Sequence, residues 1–349
     1  MRYIGIIILL VLCLTLLLLT GCIVNPVIPE TAIGNLENQE NTEEPIIENT
    51  EEPVMWSGLG IDIENLVYIE TIPEFDSYVD TLLANGFTQI RVKIAQYYSD
   101  DVDLSKTAAL RAIAKGAEVI WGVDGGSTIT ATNWSSFRQA ILDAAQWAQD
   151  NGVYEFLLGN EEDDRVDGTT MTQAQIIVNL KAVATDVQAI FTRGNISYTC
   201  NSFAISDWVT AGRGDIDILA SNVYINGWGN WKTNITNLIA GFGTDHTGIT
   251  EFSVSGNGLD NYSTDEAVQA AGTIEMIEYI KASGMTRAFY FCYTDTSWLP
   301  GRGVLKADGT YRLLWSQALL NSESVKFATV PTKTTIASLP GTQLHLYQE

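Results

Sequence analysis

Residues 118–160 read EVIWGVDGGSTITATNWSSFRQAILDAAQWAQDNGVYEFLLGN and contain, in one stretch, a pattern that repeats along most of the chain. A short β-rich run, Glu118–Val123, is followed by Ser135–Gln149, whose apolar residues recur at a spacing near 3.6. Gly152 then precedes the next β-rich run, Glu155–Gly159, as a helix-ending glycine does. The stretch therefore predicts a strand, a helix and a second strand, in the order of a βαβ unit.

The same unit recurs from Trp56 to about Asn321. The predicted strands are Gly58–Ile63, Gln89–Ile94, Glu118–Val123, Glu155–Gly159, Ile196–Cys200, Ile218–Val223, Gly248–Phe252 and Ala288–Tyr293. Eight strand–helix units in about 265 residues have the size and rhythm of an α/β fold, the (β/α)8 TIM barrel. A doubly wound sheet is the structural alternative, but no phosphate-binding loop accompanies the strands.

The amino terminus, residues 1–22, has the features of a signal peptide. Arg2 precedes an apolar run, Ile4–Leu19, which is shorter than the ~20 residues that a bilayer span needs. The sequence Leu19-Thr20-Gly21-Cys22 follows and resembles the lipobox of prokaryotic lipoproteins. That resemblance implies cleavage before Cys22, a lipid on its thiol, and a protein anchored to a membrane at the cell surface or facing the periplasm. A retained transmembrane anchor is the alternative.

Residues 23–53 differ in composition from the rest of the chain. They hold eight glutamates, no lysine or arginine, and four of the eight prolines. Such a segment cannot bury enough apolar surface to offset its ordering entropy, so it is predicted to be a disordered acidic linker. The linker either holds the barrel, residues 54–321, away from the membrane or has no role of its own. The tail, residues 322–349, has no assigned structure.

Composition and missing motifs exclude several classes of function. The formal net charge of -23 argues against nucleic acid as a partner of the folded part. Only two histidines are present and the H-E-x-x-H motif is absent, so no metal site is expected. The chain also lacks a nucleotide-binding P-loop, a G-x-S-x-G motif and a complete dinucleotide-binding loop. No cofactor is expected.

In parallel α/β folds, ligands bind at the carboxyl ends of the strands. The residues predicted at those ends are Asp62, Arg91, Asp124, Asn160, Glu161, Asn201, Tyr224, Glu251 and Trp298. Glu161 and Glu251 stand out because each ends an apolar run, where a carboxylate is costly to bury. Strands four and seven lie on facing parts of an eight-stranded ring, so the two carboxyl groups are expected to face each other.

Two facing carboxyl groups are the machinery of glycosidic bond cleavage, in which one donates a proton and the other attacks the sugar or positions a water. Tyr224 is expected to donate its hydroxyl to the attacking carboxylate, and Arg91 to supply positive charge behind it. Asn160 is expected to bind a sugar hydroxyl. Glu162 complicates this assignment, because a one-residue slip in strand register would exchange its face with that of Glu161.

These residues resemble the pattern of clan A of the glycoside hydrolases, which are retaining enzymes on a (β/α)8 barrel. The clan carries Asn-Glu at the end of strand four, as in Leu158-Gly159-Asn160-Glu161, and a nucleophilic glutamate at the end of strand seven, as in Ile249-Thr250-Glu251-Phe252. Its arginine on strand two, tyrosine after strand six and tryptophan after strand eight match Arg91, Tyr224 and Trp298. The resemblance implies that Glu161 is the acid/base and Glu251 the nucleophile.

The chain departs from the cellulase- and mannanase-like family of this clan. That family has a histidine after strand three and another two residues before the tyrosine of strand six, and this chain has neither. Asn222 occupies the second position. The resemblance therefore extends to the clan and does not identify the sugar.

Aromatic residues are expected on the pocket side of the barrel, where flat rings stack on sugar rings. They are Tyr97, Tyr98, Trp134, Trp208, Trp228 and Trp231. Trp228, flanked by glycines, is the predicted sugar platform, and helix-to-barrel packing accounts for Trp147, Trp315 and part of the others. Asp163 and Asp164 are interpreted as a solvated acidic loop rather than a calcium site.

The sequence thus predicts a membrane-anchored retaining β-glycosidase that acts on a β-linked polysaccharide or oligosaccharide. Two alternatives stay open. One is a carbohydrate-binding lipoprotein that has kept the barrel but not catalysis. The other is a transglycosylase, in which a sugar hydroxyl replaces water in the second step.

Overall fold

The computed structural model describes residues 58–63, 72–92, 95–96, 101–126, 128–225, 230–254, 266–295, 301–306 and 308–315. Several sequence predictions concern residues outside these ranges. They are the signal segment 1–22 with Cys22, the linker 23–53, the tail 322–349, and the aromatic residues Tyr97, Tyr98, Trp228 and Trp298.

Eight parallel strands form a closed barrel. They are β1 Leu59–Ile63, β2 Gln89–Val92, β3 Glu118–Asp124, β4 Glu155–Asn160, β5 Asn195–Cys200, β6 Ile218–Ile225, β7 Thr247–Val254 and β8 Ala288–Phe291. The strands are hydrogen-bonded in the order β2-β1-β8-β7-β6-β5-β4-β3, and a pairing between β2 and β3 closes the ring. A two-residue strand, Ala95–Gln96, pairs in parallel with the last two residues of β3. The predicted (β/α)8 TIM barrel is confirmed, and closure excludes a doubly wound sheet.

Within the described ranges, seven α-helices connect these strands. They are α1 Ile72–Ala84, α2 Asp101–Ala114, α3 Trp134–Asn151, α4 Gln173–Gln188, α5 Ile205–Ala211, α6 Trp231–Phe242 and α7 Glu266–Ala282. None of these helices combines the length and the apolar character that a bilayer crossing requires.

The helix α3 shows how sequence determines one of these elements. Phe137, Ile141 and Ala145 lie on one stripe of the helix and are buried against the barrel, as their spacing predicts. Gly152 ends the helix with a φ of 83°, a left-handed conformation that glycine adopts without a steric penalty. The chain then enters β4 and reaches the carboxyl end of the barrel.

The barrel interior is apolar at one level and polar at the strand ends. Ile120, Leu157 and Phe289 come from β3, β4 and β8 and form a small cluster separate from the main core between sheet and helices. The buried polar side chains at the carboxyl ends include Asp62, Arg91, Asn160, Asn222 and Glu251. Since buried polar groups require partners, these side chains are hydrogen-bonded to one another.

Irregular strand pairing occurs at this same end. The register shifts between Leu157 and Asn160 in β4, between Ser221 and Asn222 in β6, and between Ile249 and Phe252 in β7. A bulge changes the direction in which the following side chains point, and bulges are common beside active sites. Two of these shifts lie just before Glu161 and around Glu251.

Candidate active site

Arg91, on β2, is the centre of the polar network and is 1% exposed. Its Nη1 donates to Asp62 and, at 2.8 Å, to Oε1 of Glu251. Its Nη2 donates to Oδ1 of Asn160 at 3.2 Å. The planar guanidinium thus fixes two residues that belong to β4 and β7, and it carries the positive charge that a buried carboxylate needs.

Glu251 lies on β7 and is held through both carboxylate oxygens. While Oε1 accepts from Arg91, Oε2 accepts from the hydroxyl of Tyr224. Burial, together with the charge of Glu251, raises the pKa of the Tyr224 hydroxyl well above its ordinary value. The tyrosine therefore keeps its proton and remains a donor to the carboxylate.

The guanidinium of Arg302 lies 4.3 Å from the centre of the Tyr224 ring, in a cation–π contact. Arg302 itself is 6% exposed. This contact adds a second positive charge on the Glu251 side of the site.

Glu161 follows β4 directly and is half-buried. Burial and the nearby charge of Glu251 raise its pKa to about 7, against an ordinary value of 4.5. One of its oxygens, Oε1, accepts a hydrogen bond from Nδ2 of Asn222 at 3.1 Å. Two glutamates thus sit in electrostatic contact in different environments: Glu251 is held by an arginine, and Glu161 is able to carry a proton near neutral pH.

Asn160 and Asn222 connect the two sides of the site. Oδ1 of Asn160 accepts from Arg91 and, at 3.3 Å, from Nδ2 of Asn222. Since arginine only donates, this contact fixes which way the Asn160 amide points. Asn222 is itself oriented by Thr250, whose hydroxyl donates to Oδ1 of Asn222 at 2.9 Å and accepts from Thr199 at the same distance.

The structure brings five of the residues singled out in the sequence into one network: Arg91, Asn160, Glu161, Tyr224 and Glu251. Three further members were not predicted as site residues. Asp62 and Asn222 both carry a usable signal, because each is a polar side chain near the end of a predicted strand. Arg302 carries none, because its place over Tyr224 depends on the loop that follows β8.

Two interpretations from the sequence need correction. Asp163 is not part of a solvated loop: it is 1% exposed and accepts from the backbone N–H of Asn201 and from Nε1 of Trp208. Trp208 does not line a sugar pocket, since it is fully buried and its ring lies 5.1 Å from that of Tyr198. Both errors arise because the loop after β4 folds inward against β5 and α5.

In the part of the chain that the structure describes, no group of three or more histidine, cysteine, aspartate or glutamate side chains is arranged to hold a metal ion. The chemistry of the network is that of carboxyl groups, amides, a phenol and guanidinium groups. Such a set can transfer a proton, stabilise a positive centre and bind hydroxyl groups.

Neither a protein family profile nor a curated protein sequence matches the chain. Solved structures do match it in fold. An exo-β-1,4-mannosidase from an Opitutaceae bacterium, strain TAV5, superposes with a TM-score of 0.60 at 11% identity, over 76% of this chain and 59% of that protein. An FMN-binding β-glucuronidase from Faecalibacterium prausnitzii L2-6 gives a TM-score of 0.56 at 13% identity, over 75% of this chain and 43% of that protein.

A GH113 β-1,4-mannanase gives a TM-score of 0.53 at 12% identity, over 78% of this chain and the full length of that protein. The chain thus spans about half the length of the first two proteins and the whole of the third. All three are glycosidases named for β-linked sugars. At these identities the likeness establishes the (β/α)8 fold that they share with this chain.

Proposed function

We propose that the protein is a retaining glycoside hydrolase that cleaves a β-linked polysaccharide or oligosaccharide, with Glu161 as acid/base and Glu251 as nucleophile. One observation carries the proposal. Two neighbouring carboxyl groups have different surroundings. Glu251 accepts hydrogen bonds from Arg91 and Tyr224, whereas burial and the charge of Glu251 raise the pKa of Glu161 to about 7. The β-linked sugars named for the structural neighbours support the same substrate class.

In the first step, a carboxylate oxygen of Glu251 attacks the anomeric carbon while Glu161 donates its proton to the departing glycosidic oxygen. The bond to the leaving group breaks and a glycosyl ester on Glu251 forms. Arg91 and the Tyr224 hydroxyl bind the two oxygens of Glu251 and orient the carboxylate before the attack. The N–H groups of the Asn160 amide are available for a sugar hydroxyl, because its oxygen already faces Arg91.

In the second step, Glu161 acts as a base. Formation of the ester removes the negative charge of Glu251, which is the second-largest cause of the raised pKa of Glu161. The pKa of Glu161 therefore falls, and its carboxylate can take a proton from water as the water attacks the anomeric carbon. The ester breaks, the sugar leaves with its original configuration, and both carboxyl groups return to their starting states.

Replacing each glutamate with alanine and adding sodium azide tests the two roles separately. The substrates are dinitrophenyl β-glycosides of glucose, mannose, xylose, galactose and glucuronic acid, assayed with the purified protein. Glu251→Ala should lose more than about 10⁴-fold in kcat and regain activity with azide, giving an α-glycosyl azide. Glu161→Ala should form the ester from these activated substrates, and azide should release a β-glycosyl azide.

Glu278→Ala, on the outer helix α7, is the matched control and should leave turnover unchanged. Full activity of Glu251→Ala would reject the mechanism. Binding of the glycans without turnover by the unmodified protein would favour the carbohydrate-binding alternative. Disaccharide products at high substrate concentration would identify a transglycosylase.

We also propose that the mature protein is a lipoprotein anchored through Cys22 and faces the outside of the cytoplasmic membrane. The proposal rests on the apolar run that ends in Leu19-Thr20-Gly21-Cys22. In cells given an alkyne-tagged fatty acid, the wild-type chain should carry the label and begin at Cys22 by mass spectrometry. Cys22→Ala should abolish labelling, whereas Cys13→Ala should not. A membrane-bound chain that carries no label and retains residues 1–21 would show a transmembrane anchor instead.

A further inference from the structure

Glu162 is a buried acid that the mechanism above does not use. It is 0% exposed, and its Oε1 accepts the backbone N–H of Gly125 at 2.9 Å. A Cβ atom added at Gly159 would lie 2.2 Å from Oε2 of Glu162, and one added at Gly125 would lie 3.3 Å from its Cγ. The side chain therefore fills the space that these two glycines leave between the ends of β3 and β4.

The residue before it, Glu161, has an unusual backbone conformation. Its φ is 63°, which makes it the one described non-glycine residue with a positive φ. This left-handed region disfavours side chains with a Cβ atom, so surrounding contacts must hold the residue there. The Glu161 N–H donates to the carbonyl of Thr199 at 2.8 Å, and its carbonyl accepts from Asp164 at 3.1 Å.

The buried side chain of Glu162 and the left-handed backbone of Glu161 belong to the same turn, which follows β4. Consecutive side chains of a regular strand point to opposite faces, and the register of β4 is already shifted before Asn160. With the left-handed turn, the Glu161 carboxyl reaches Asn222 while the Glu162 carboxyl lies behind the strand against Gly125. Fixing the second side chain limits the backbone angles of the first.

We propose that Glu162 is the positioning residue of Glu161: its side chain, lodged between Gly125 and Gly159, holds Glu161 in the left-handed conformation that turns the Glu161 carboxyl toward Glu251. This inference rests on the proposed function of Glu161 as the acid/base. Glu161 then acts on the reacting atoms, and Glu162 holds the backbone of Glu161 in place.

The chemical state of Glu162 makes the proposal testable with a conservative variant. Burial and then the charge of Asp124 raise the pKa of Glu162 to about 8, which favours the neutral carboxyl over the carboxylate. Asp124 is itself paired with Arg165 at 2.5 Å, and the charge of Arg165 also acts on Glu162, but less strongly than burial and the charge of Asp124. A neutral carboxyl has one acceptor oxygen and one O–H donor, and the amide of glutamine has the same shape and the same two capabilities.

The test compares Glu162→Gln, Glu162→Ala and Glu161→Gln at pH 6.5, using two aryl β-glycosides that differ in the pKa of their leaving group. A misplaced acid lowers kcat far more for the substrate with the poor leaving group than for the substrate with the good one. Glu162→Gln should stay within about threefold of wild type on both substrates. Glu162→Ala should lose about 100-fold in kcat on the poor leaving group and only a few-fold on the good one, with KM nearly unchanged.

A second measurement does not depend on turnover. Carbon-13 NMR of labelled glutamate should follow Glu161 titrating near pH 7 in the wild type and in Glu162→Gln, and at clearly lower pH in Glu162→Ala. If no glycoside is cleaved, the proposed function fails and this titration still decides the positioning role.

Two results would overturn the inference. One is a Glu162→Gln protein as impaired as Glu161→Gln. The other is a folded Glu162→Ala protein with the wild-type leaving-group dependence and an unchanged Glu161 titration. If Glu162→Ala does not fold, Glu162→Asp, whose shorter side chain does not fill the space beside Gly125 and Gly159, takes its place in both measurements with the same expected direction.

Discussion

Asn222 shows how one side chain sets the proton affinity of another. Its amide donates to Glu161, and this hydrogen bond stabilises the ionised carboxylate and so lowers the pKa of Glu161. Burial and the charge of Glu251 act in the opposite direction and are the larger causes. The pKa of about 7 is therefore a balance, and removing the amide changes it in a known direction.

We predict that Asn222→Ala raises the pKa of Glu161 and moves the high-pH limb of the kcat/KM profile to higher pH. In the proposed first step the acid, Glu161, must be protonated, so the limb is expected to follow the pKa of Glu161. Loss of one hydrogen bond of this kind also lowers kcat by about tenfold. Asn151→Ala is the control, because that amide bonds only the carbonyl of Trp147 at the end of α3. A limb that stays in place, or moves to lower pH, would contradict the prediction.

At the same scale, the sequence could indicate which residue types meet but not how they pair. Arg91 and Asp62 are both recognisable as polar side chains near predicted strand ends. Their ion pair, however, depends on the alignment of Asp62 with Arg91 across β1 and β2. The expectation that Trp208 lies on the pocket side was wrong for a related reason, because only the folded loop shows that its indole N–H is used by Asp163.

At the scale of elements, the strands β3 and β4 approach so closely that one glycine is required between them. A Cβ atom at Gly122 would lie 1.8 Å from the carbonyl oxygen of Leu157. This contact is between a side chain and backbone, so rotation of a side chain cannot relieve it. The close approach sits just before the irregular pairing that leads to Glu161.

We predict that Gly122→Ala lowers the free energy of unfolding by about 3 kcal/mol, since it forces two barrel strands apart. Urea unfolding followed by circular dichroism measures the change. Gly168→Ala is the matched control: its φ is +69° but no atom lies within 4 Å of the added Cβ. The control should lose only about 1 kcal/mol, from backbone conformation alone. Equal decreases in the free energy of unfolding for the two variants would show that the close contact at Gly122 does not destabilise Gly122→Ala.

Element positions were largely predictable. The strand predicted at Glu155–Gly159 is observed at Glu155–Asn160, and the one predicted at Gly248–Phe252 at Thr247–Val254. Both follow from continuous apolar runs, which the two covered faces of a parallel sheet require. The register shifts within these strands could not be predicted, since a bulge leaves no mark on the apolar pattern.

Across the whole molecule, several carboxyl groups near the site are buried in one region. Burial is the first cause in each case, and the pKa is raised to about 7 for Glu161, about 8 for Glu162 and about 6 for Asp163. In the unfolded chain these groups titrate near pH 4. Between about pH 4 and pH 8 the folded protein therefore binds more protons than the unfolded chain, and the stability that these groups contribute is lost as the pH rises.

We predict that Glu162→Gln makes the free energy of unfolding less dependent on pH in this window. Removing one such proton site flattens the slope by at most about 1.4 kcal/mol per pH unit. Urea unfolding at pH 5, 6, 7, 8 and 9 measures it, with Glu275→Gln in the exposed pair with Lys232 as control. Parallel curves for wild type and Glu162→Gln would mean that Glu162 is ionised in the folded protein.

The sequence by itself determined the alternation of strand and helix and the residues at the strand ends, because these are local properties of the chain. Closure of the strands into a barrel was observed only in the tertiary structure, through the pairing of β2 with β3. The sequence also indicated Glu161 and Glu251 as a pair, since each follows an apolar run at the end of a predicted strand. Only the tertiary structure decided that Glu161 bonds Asn222 while the adjacent Glu162 bonds the backbone of Gly125. That choice depends on a left-handed φ at Glu161 and on the space beside Gly125 and Gly159, and both exist only once neighbouring strands have packed.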